Sequence, residues 1–270
     1  MVDLSGINYP LLDQPGVSKV LFHPRPEFRP PDSATDGTLV MIPVEADILI
    51  GARFHLAENS SATLLFFHGN GEIVADYDDF GHMVNQLGIN FLAVDYRGYG
   101  RSSGQPTVTA MMRDCHVIFD FICRWRNQKG DSDPLILMGR SLGSASVLEL
   151  ASHYATQIDG LIVESGFAWS APLLRLLGIN TADIGFEEPM GFQNIDKIAH
   201  FEKPTLIIHA EQDHIIPFSD GVLLYETCPA VDKTLLKIPQ ANHNNIFFHG
   251  MRAYLKAITE LIQRLTPPAA

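Results

Sequence analysis

From Thr63 to Arg264 the sequence alternates short apolar runs with longer helix-like segments, and this alternation most constrains the fold. The runs are Thr63–Phe67, Ile89–Val94, Leu135–Met138, Leu161–Val163, Thr205–Ile208 and Thr234–Ile238. Unbroken apolar runs of this length suit strands buried on both faces, as in a parallel sheet. Between them lie helix-like stretches at 76–87, 108–127, 142–154, 218–227 and 246–264. In the second, Met111, Cys115, Ile118, Ile122 and Trp125 fall at spacings of four and three, the stripe of a helix packed on a sheet. Strand–helix alternation on this scale predicts one α/β sheet with helices on both faces. Ahead of it, Leu39–Val44 and Ile48–Leu56 predict an antiparallel hairpin.

Two stretches depart from the pattern. Residues 1–36 carry Pro10, Pro15, Pro24, Pro26, Pro30 and Pro31, which argue against regular structure there. Val17, Val20, Leu21 and Phe22 in the same stretch predict an ordered arm docked on a body. Residues 166–200 are too long for a plain crossover and contain Trp169, Leu173, Leu174, Leu176, Leu177, Phe186 and Phe192, so a small lid-like helical insertion is expected. No linker or repeat divides the chain, and a single domain over 1–270 is expected.

Composition removes some classes of function. With 19 basic and 31 acidic residues the net charge is −12, which argues against nucleic acid or an anionic membrane as main partner. Three cysteines, Cys115, Cys123 and Cys228, make no CxxC pair and no disulfide framework, so a reducing, cytoplasmic setting is expected. No basic-then-apolar leader opens the chain and no apolar run reaches a membrane-spanning length, so neither signal peptide nor integral membrane segment is expected. Composition does not bear on oligomeric state.

The chemistry centres on Gly139-Arg140-Ser141-Leu142-Gly143, between the run Leu135–Met138 and a helix-like stretch. That context is the nucleophile elbow: a tight strand-to-helix turn that lifts a serine hydroxyl above the sheet edge. Serine needs a base to take its proton and a third group to orient that base. Asp213 follows the run Thr205–Ile208, and His243 follows Thr234–Ile238. Both therefore belong at the carboxyl edge of the sheet, where Ser141 lies and where ligands bind in open α/β sheets. His249, His214 and His209 are rivals for the base, and Glu164, Glu211 and Asp220 for the acid. Backbone donors for an oxyanion are expected from Leu142 and from Asn70 in the loop His68-Gly69-Asn70-Gly71. Glu72, Phe167, Trp169 and Leu173 are candidates to line the substrate pocket. Asp95–Gly104 approaches a dinucleotide fingerprint but lacks its third glycine, and reads as a glycine-rich loop. No Walker A or HExxH motif occurs, and neither metal nor cofactor is expected.

With these motifs the chain resembles the α/β-hydrolase superfamily over about residues 38–265. The HGN loop, the DYRGYGRSSG loop, the GRSLG elbow, the DHIIP stretch at 213–217 and His243 look most like the Bem46-like serine hydrolases, relatives of the mammalian α/β-hydrolase domain-containing proteins 13 and 17. The resemblance implies an α/β-hydrolase fold of about eight mostly parallel strands. It also implies hydrolysis of a carboxylic ester, thioester or amide through an acyl-enzyme on Ser141, Asp213 and His243. No cysteine precedes Cys115, where the domain-containing 17 proteins carry a palmitoylated cluster, so no such lipid anchor is expected. The alternative on the same fold is a non-catalytic ligand-binding or scaffold protein, from which an intact triad and both oxyanion loops would separate it.

Overall fold

The computed structural model describes residues 3–28 and 37–266; Pro30 and Pro31, and the remainder of the expected arm, lie outside the described residues. These residues form two compact units, one up to Asp133 and one from Pro134.

In the first unit the N-terminal stretch is more regular than its prolines suggest. Helix α1 spans Pro15–Leu21, with Pro15 in its first turn. There the missing N–H is no loss and the fixed φ suits the helix, so a proline that would break a helix interior starts this one. Leu12, Val17, Leu21 and Phe22 are buried, while Val20 is half-buried. The arm is also held by charge: Arg53, itself buried, pairs with Glu27 from the arm and with Asp78.

Strands β1 (Thr38–Glu45) and β2 (Ile48–His55) form the expected antiparallel hairpin. Strand β3 (Ala62–Phe67) leads through a 3-10 turn to α2 (Asp78–Gln86), β4 (Ile89–Val94) and α3 (Val108–Lys129). β2 pairs with β4 antiparallel, and β3 pairs with β4 parallel. Every residue of β3 and β4 is buried, which explains why these strands are continuous apolar runs. The α3 stripe Met111, Cys115, Ile118 and Ile122 is buried, and Trp125 packs edge-on against Phe54 at 5.2 Å. α3 starts at Thr107, whose side chain accepts the Ala110 N–H, and stops at Gly130 in the left-handed region.

The second unit is strand–helix repetition. It runs β5 (Leu135–Arg140), α4 (Gly143–Tyr154), β6 (Gly160–Glu164), β7 (Thr205–Ala210), α7 (Phe218–Thr227), β8 (Lys233–Ile238) and α8 (Ile246–Leu265). β5, β6, β7 and β8 are consecutive neighbours, all parallel. β5, β6 and β7 are buried throughout. β8 is only partly buried, and Lys237 on it pairs with Glu211 in solvent. The excursion between β6 and β7 carries α5 (Ser170–Leu176), a 3-10 turn at Glu188–Met190, and α6 (Asn194–Ile198). Phe167 and Phe192 pack edge-on at 5.3 Å beneath it. Asn194 donates to the Phe167 carbonyl.

Candidate active site

Three carboxyl-end loops of the second unit converge. β5 ends at Arg140, and Ser141 follows with φ of +51°. A non-glycine residue in that region is strained and must be held by its surroundings. Its N–H donates to the Glu164 carbonyl at 2.8 Å, and its carbonyl accepts the Ser144 hydroxyl at 2.6 Å. Gly139 is required by close approach: a Cβ there would lie 2.4 Å from the Gly143 carbonyl oxygen.

The Ser141 hydroxyl lies 3.0 Å from His243 Nε2, and His243 Nδ1 lies 2.8 Å from Asp213 Oδ2. The carboxylate assigns the tautomer: Nδ1–H donates to Asp213, leaving the Nε2 lone pair for the serine proton. The other carboxylate oxygen, Oδ1, accepts N–H bonds from Ile215 at 3.0 Å and Ile216 at 2.9 Å. Burial alone would raise the Asp213 pKa; the hydrogen bond and charge of His243 and the two backbone N–H groups outweigh it and hold the carboxyl below its ordinary value. Ser141 and His243 are both buried, so the pair is shielded from bulk water.

The rivals lie outside this line of hydrogen bonds. His209 is buried behind Asp213, and its Nε2 donates to the Ile216 carbonyl at 2.9 Å. Burial, the leading influence, lowers its pKa and so favours the neutral ring. His214 is exposed in the loop after β7, and His249 is exposed on the first turn of α8. Glu164, the strongest rival acid, bonds to Arg140 and to the Tyr254 hydroxyl. Glu211 pairs with Lys237, and Asp220 accepts the Ala168 N–H at 2.8 Å.

Of the expected oxyanion donors, Leu142 stands at the N-terminal end of α4, where helix N–H groups lack intrahelical partners. In the first unit Asn70 lies in the loop after β3, and its side chain fastens that loop to the arm. Asn70 Oδ1 accepts from His23 N–H and the Tyr99 hydroxyl, and Nδ2 donates to the Leu21 carbonyl. The sequence offered no sign of this contact with the arm. Glu72 folds back on the same loop, where one oxygen accepts the Gly69 N–H at 2.7 Å and the Tyr77 hydroxyl at 2.6 Å. His68 and Asp95 pair at 3.1 Å in the interior of the first unit.

Phe167, Trp169 and Leu173 line one cavity of about 310 Å³, together with Pro172, Leu176 and Asp213. The cavity thus joins the lid-like segment to the loop of the acid.

The arrangement has the form of known proteins. A family model described as serine aminopeptidase, S33 matches residues 58–185. The solved structure of a soluble variant of monoglyceride lipase from Saccharomyces cerevisiae, in complex with a substrate analog, superposes with a TM-score of 0.65. It is 19% identical, over 90% of this chain and 100% of that one. The class is therefore the α/β-hydrolase fold. Human α/β-hydrolase domain-containing protein 17C is 32% identical over 231 residues, covering 82% of this chain and 64% of the human protein. The Xenopus laevis 17C protein is 31% identical over 233 residues, covering 83% of this chain and 68% of that protein. The chain belongs to the family of the α/β-hydrolase domain-containing 17 proteins. It spans just under two thirds of the length of the mouse and human 17C proteins, 66% and 64%. Among the described residues no helix is long and apolar enough to cross a membrane.

Proposed function

We propose that the chain is a serine hydrolase that cleaves a carboxylic ester or thioester through an acyl-enzyme. The observation that carries this reading is the unbroken hydrogen-bonded line from the Ser141 hydroxyl through the His243 imidazole to the Asp213 carboxylate. His243 takes the serine proton as the oxygen attacks the carbonyl carbon. Asp213 keeps the imidazole in the receptive tautomer and balances the imidazolium that forms. The negative charge moves onto the carbonyl oxygen. The backbone N–H of Leu142 is the proposed donor there, contributing roughly 3 kcal/mol to the transition state. His243 then returns the proton to the leaving alcohol or thiol, and water repeats the sequence on the acyl-enzyme. The cavity lined by Phe167, Trp169 and Leu173 favours an apolar substituent.

The test is a panel of p-nitrophenyl esters of graded chain length together with thioesters, run on wild type and Ser141→Ala, alongside labelling by a fluorophosphonate probe. The expected result is turnover and labelling in wild type and neither in Ser141→Ala, with an unchanged circular dichroism spectrum. Equal labelling of the two proteins would remove Ser141 from the mechanism.

A further inference from the structure

Arg140, the residue before the nucleophile, is buried at the end of β5. It is the register partner of Glu164 at the end of β6. One guanidinium nitrogen of Arg140 binds Glu164 Oε1; a second donates to the backbone carbonyl of His243 at 2.8 Å. The other Glu164 oxygen accepts the hydroxyl of Tyr254, a fully buried residue on α8. The Glu164 carbonyl meanwhile accepts the Ser141 N–H. One buried cluster therefore touches the backbone of both the nucleophile and the base.

We propose that Arg140, braced by Glu164 and Tyr254, is a positioning residue that sets the His243 imidazole between Ser141 and Asp213; the proposal rests on the triad reading above. Three physical points carry it. A buried ion pair costs desolvation that its attraction scarcely repays, so it is a poor stabilising device compared with apolar side chains of similar volume. The planar guanidinium fork can serve a carboxylate and a carbonyl at once in fixed geometry, which a single lysine ammonium does not reproduce. The base also sits in a loop, between β8 and α8, whose ties include Gln212 N–H to Ala241 carbonyl, Gln240 N–H to the Glu211 side chain, Asn242 N–H to the Asn245 side chain and Asn244 N–H to the Asn242 side chain. The Arg140 bond reaches the His243 backbone itself from the nucleophile's side. A displacement near 1 Å of a reacting group costs on the order of 100-fold in rate.

The test compares wild type with Arg140→Met/Glu164→Gln, which replaces the buried charges by neutral groups of similar volume, and with Arg140→Lys. Proton NMR follows the low-field imidazole N–H of His243, identified by its loss in His243→Ala. This signal reports the bond to Asp213 without requiring any substrate. The expected result for the double variant is a lost or broadened resonance and kcat reduced roughly 10- to 100-fold, with KM nearly unchanged. Arg140→Lys should keep the fold and fall between the two. An unchanged resonance and kcat within twofold of wild type in either variant would overturn the proposal. Loss of the hydrolase reading alone would show differently, as wild-type labelling that survives Ser141→Ala while the resonance still responds to Arg140.

Discussion

Replacing Asp213 by asparagine asks the structure a sharp question, because the two oxygens of that carboxylate have different partners. Oδ1 accepts two backbone N–H groups, from Ile215 and Ile216, and Oδ2 faces His243 Nδ1. An asparagine amide cannot put its NH2 toward Ile215 and Ile216 without leaving donors opposed, at about 1–3 kcal/mol for each buried group unsatisfied. Its carbonyl therefore takes the Oδ1 position, and its NH2 faces the imidazole. Nδ1 must then present its lone pair, and the ring proton moves to Nε2, 3.0 Å from the serine oxygen. A protonated Nε2 cannot accept the serine proton. The fold and the loop stay as they are while the base is held in the wrong tautomer. The expected loss is about 10⁴-fold in kcat, or roughly 5.5 kcal/mol in the barrier. The assay is steady-state hydrolysis of the best p-nitrophenyl ester, with thermal unfolding run in parallel to show that the variant is folded. An Asp213→Asn enzyme within tenfold of wild type would refute the reasoning, since the acid would then not govern the tautomer.

The remaining expectations concern stability. Gly100 has φ of +55°, and a Cβ on it would stand 2.1 Å from Asp95 Oδ2. Gly100→Ala should push Asp95 away from His68 and from the Val74 N–H it accepts, lowering stability by about 3–5 kcal/mol in urea unfolding; a loss under about 1 kcal/mol would contradict this. The two buried histidines should give pH slopes of opposite sign. For His68, burial opposes the charge but the Asp95 partner outweighs it and raises the pKa above 6.5. Its contribution is full below pH 6.5 and is lost as pH rises through the higher folded value. For His209, burial lowers the pKa, so its contribution is present above pH 6.5 and is lost as pH falls through the lower folded value. Unfolding temperature measured against pH should flatten on the alkaline side in His68→Gln and on the acid side in His209→Gln; the reverse pairing would show that these groups do not set the slopes.

How far the sequence could be read follows from what each signal encodes. The parallel strands were legible because burial on both faces favours apolar runs, as in the fully buried β3 to β7, whose few polar residues are themselves buried. Helix α1 was not, because proline excludes a helix interior and permits a first turn, and which of the two applies depends on where the chain docks. The elbow was legible because its glycines answer to local geometry, Gly139 lying against Gly143. The role of Asn70 in fastening the arm was hidden, since it joins residues 47 positions apart that no local pattern links.

The choice between Asp213 and Glu164 shows where spacing runs out and chemistry continues. Both carboxylates lie at the same edge, Glu164 as the last residue of β6 and Asp213 just past the end of β7, and the sequence favoured Asp213 with Glu164 as its rival. What separates them is the second letter of the elbow. A buried arginine at position 140 requires an anion, and the neighbouring parallel strand places Glu164 in register with it. Glu164 is thereby committed to a cation and a tyrosine hydroxyl, with no oxygen turned to the imidazole. Asp213 has two backbone N–H groups to hold one oxygen and the base to meet the other. The same arginine that engages Glu164 also donates to the carbonyl of His243, so the residue between Gly139 and Ser141 touches both the rival to the proposed acid and the backbone of the proposed base.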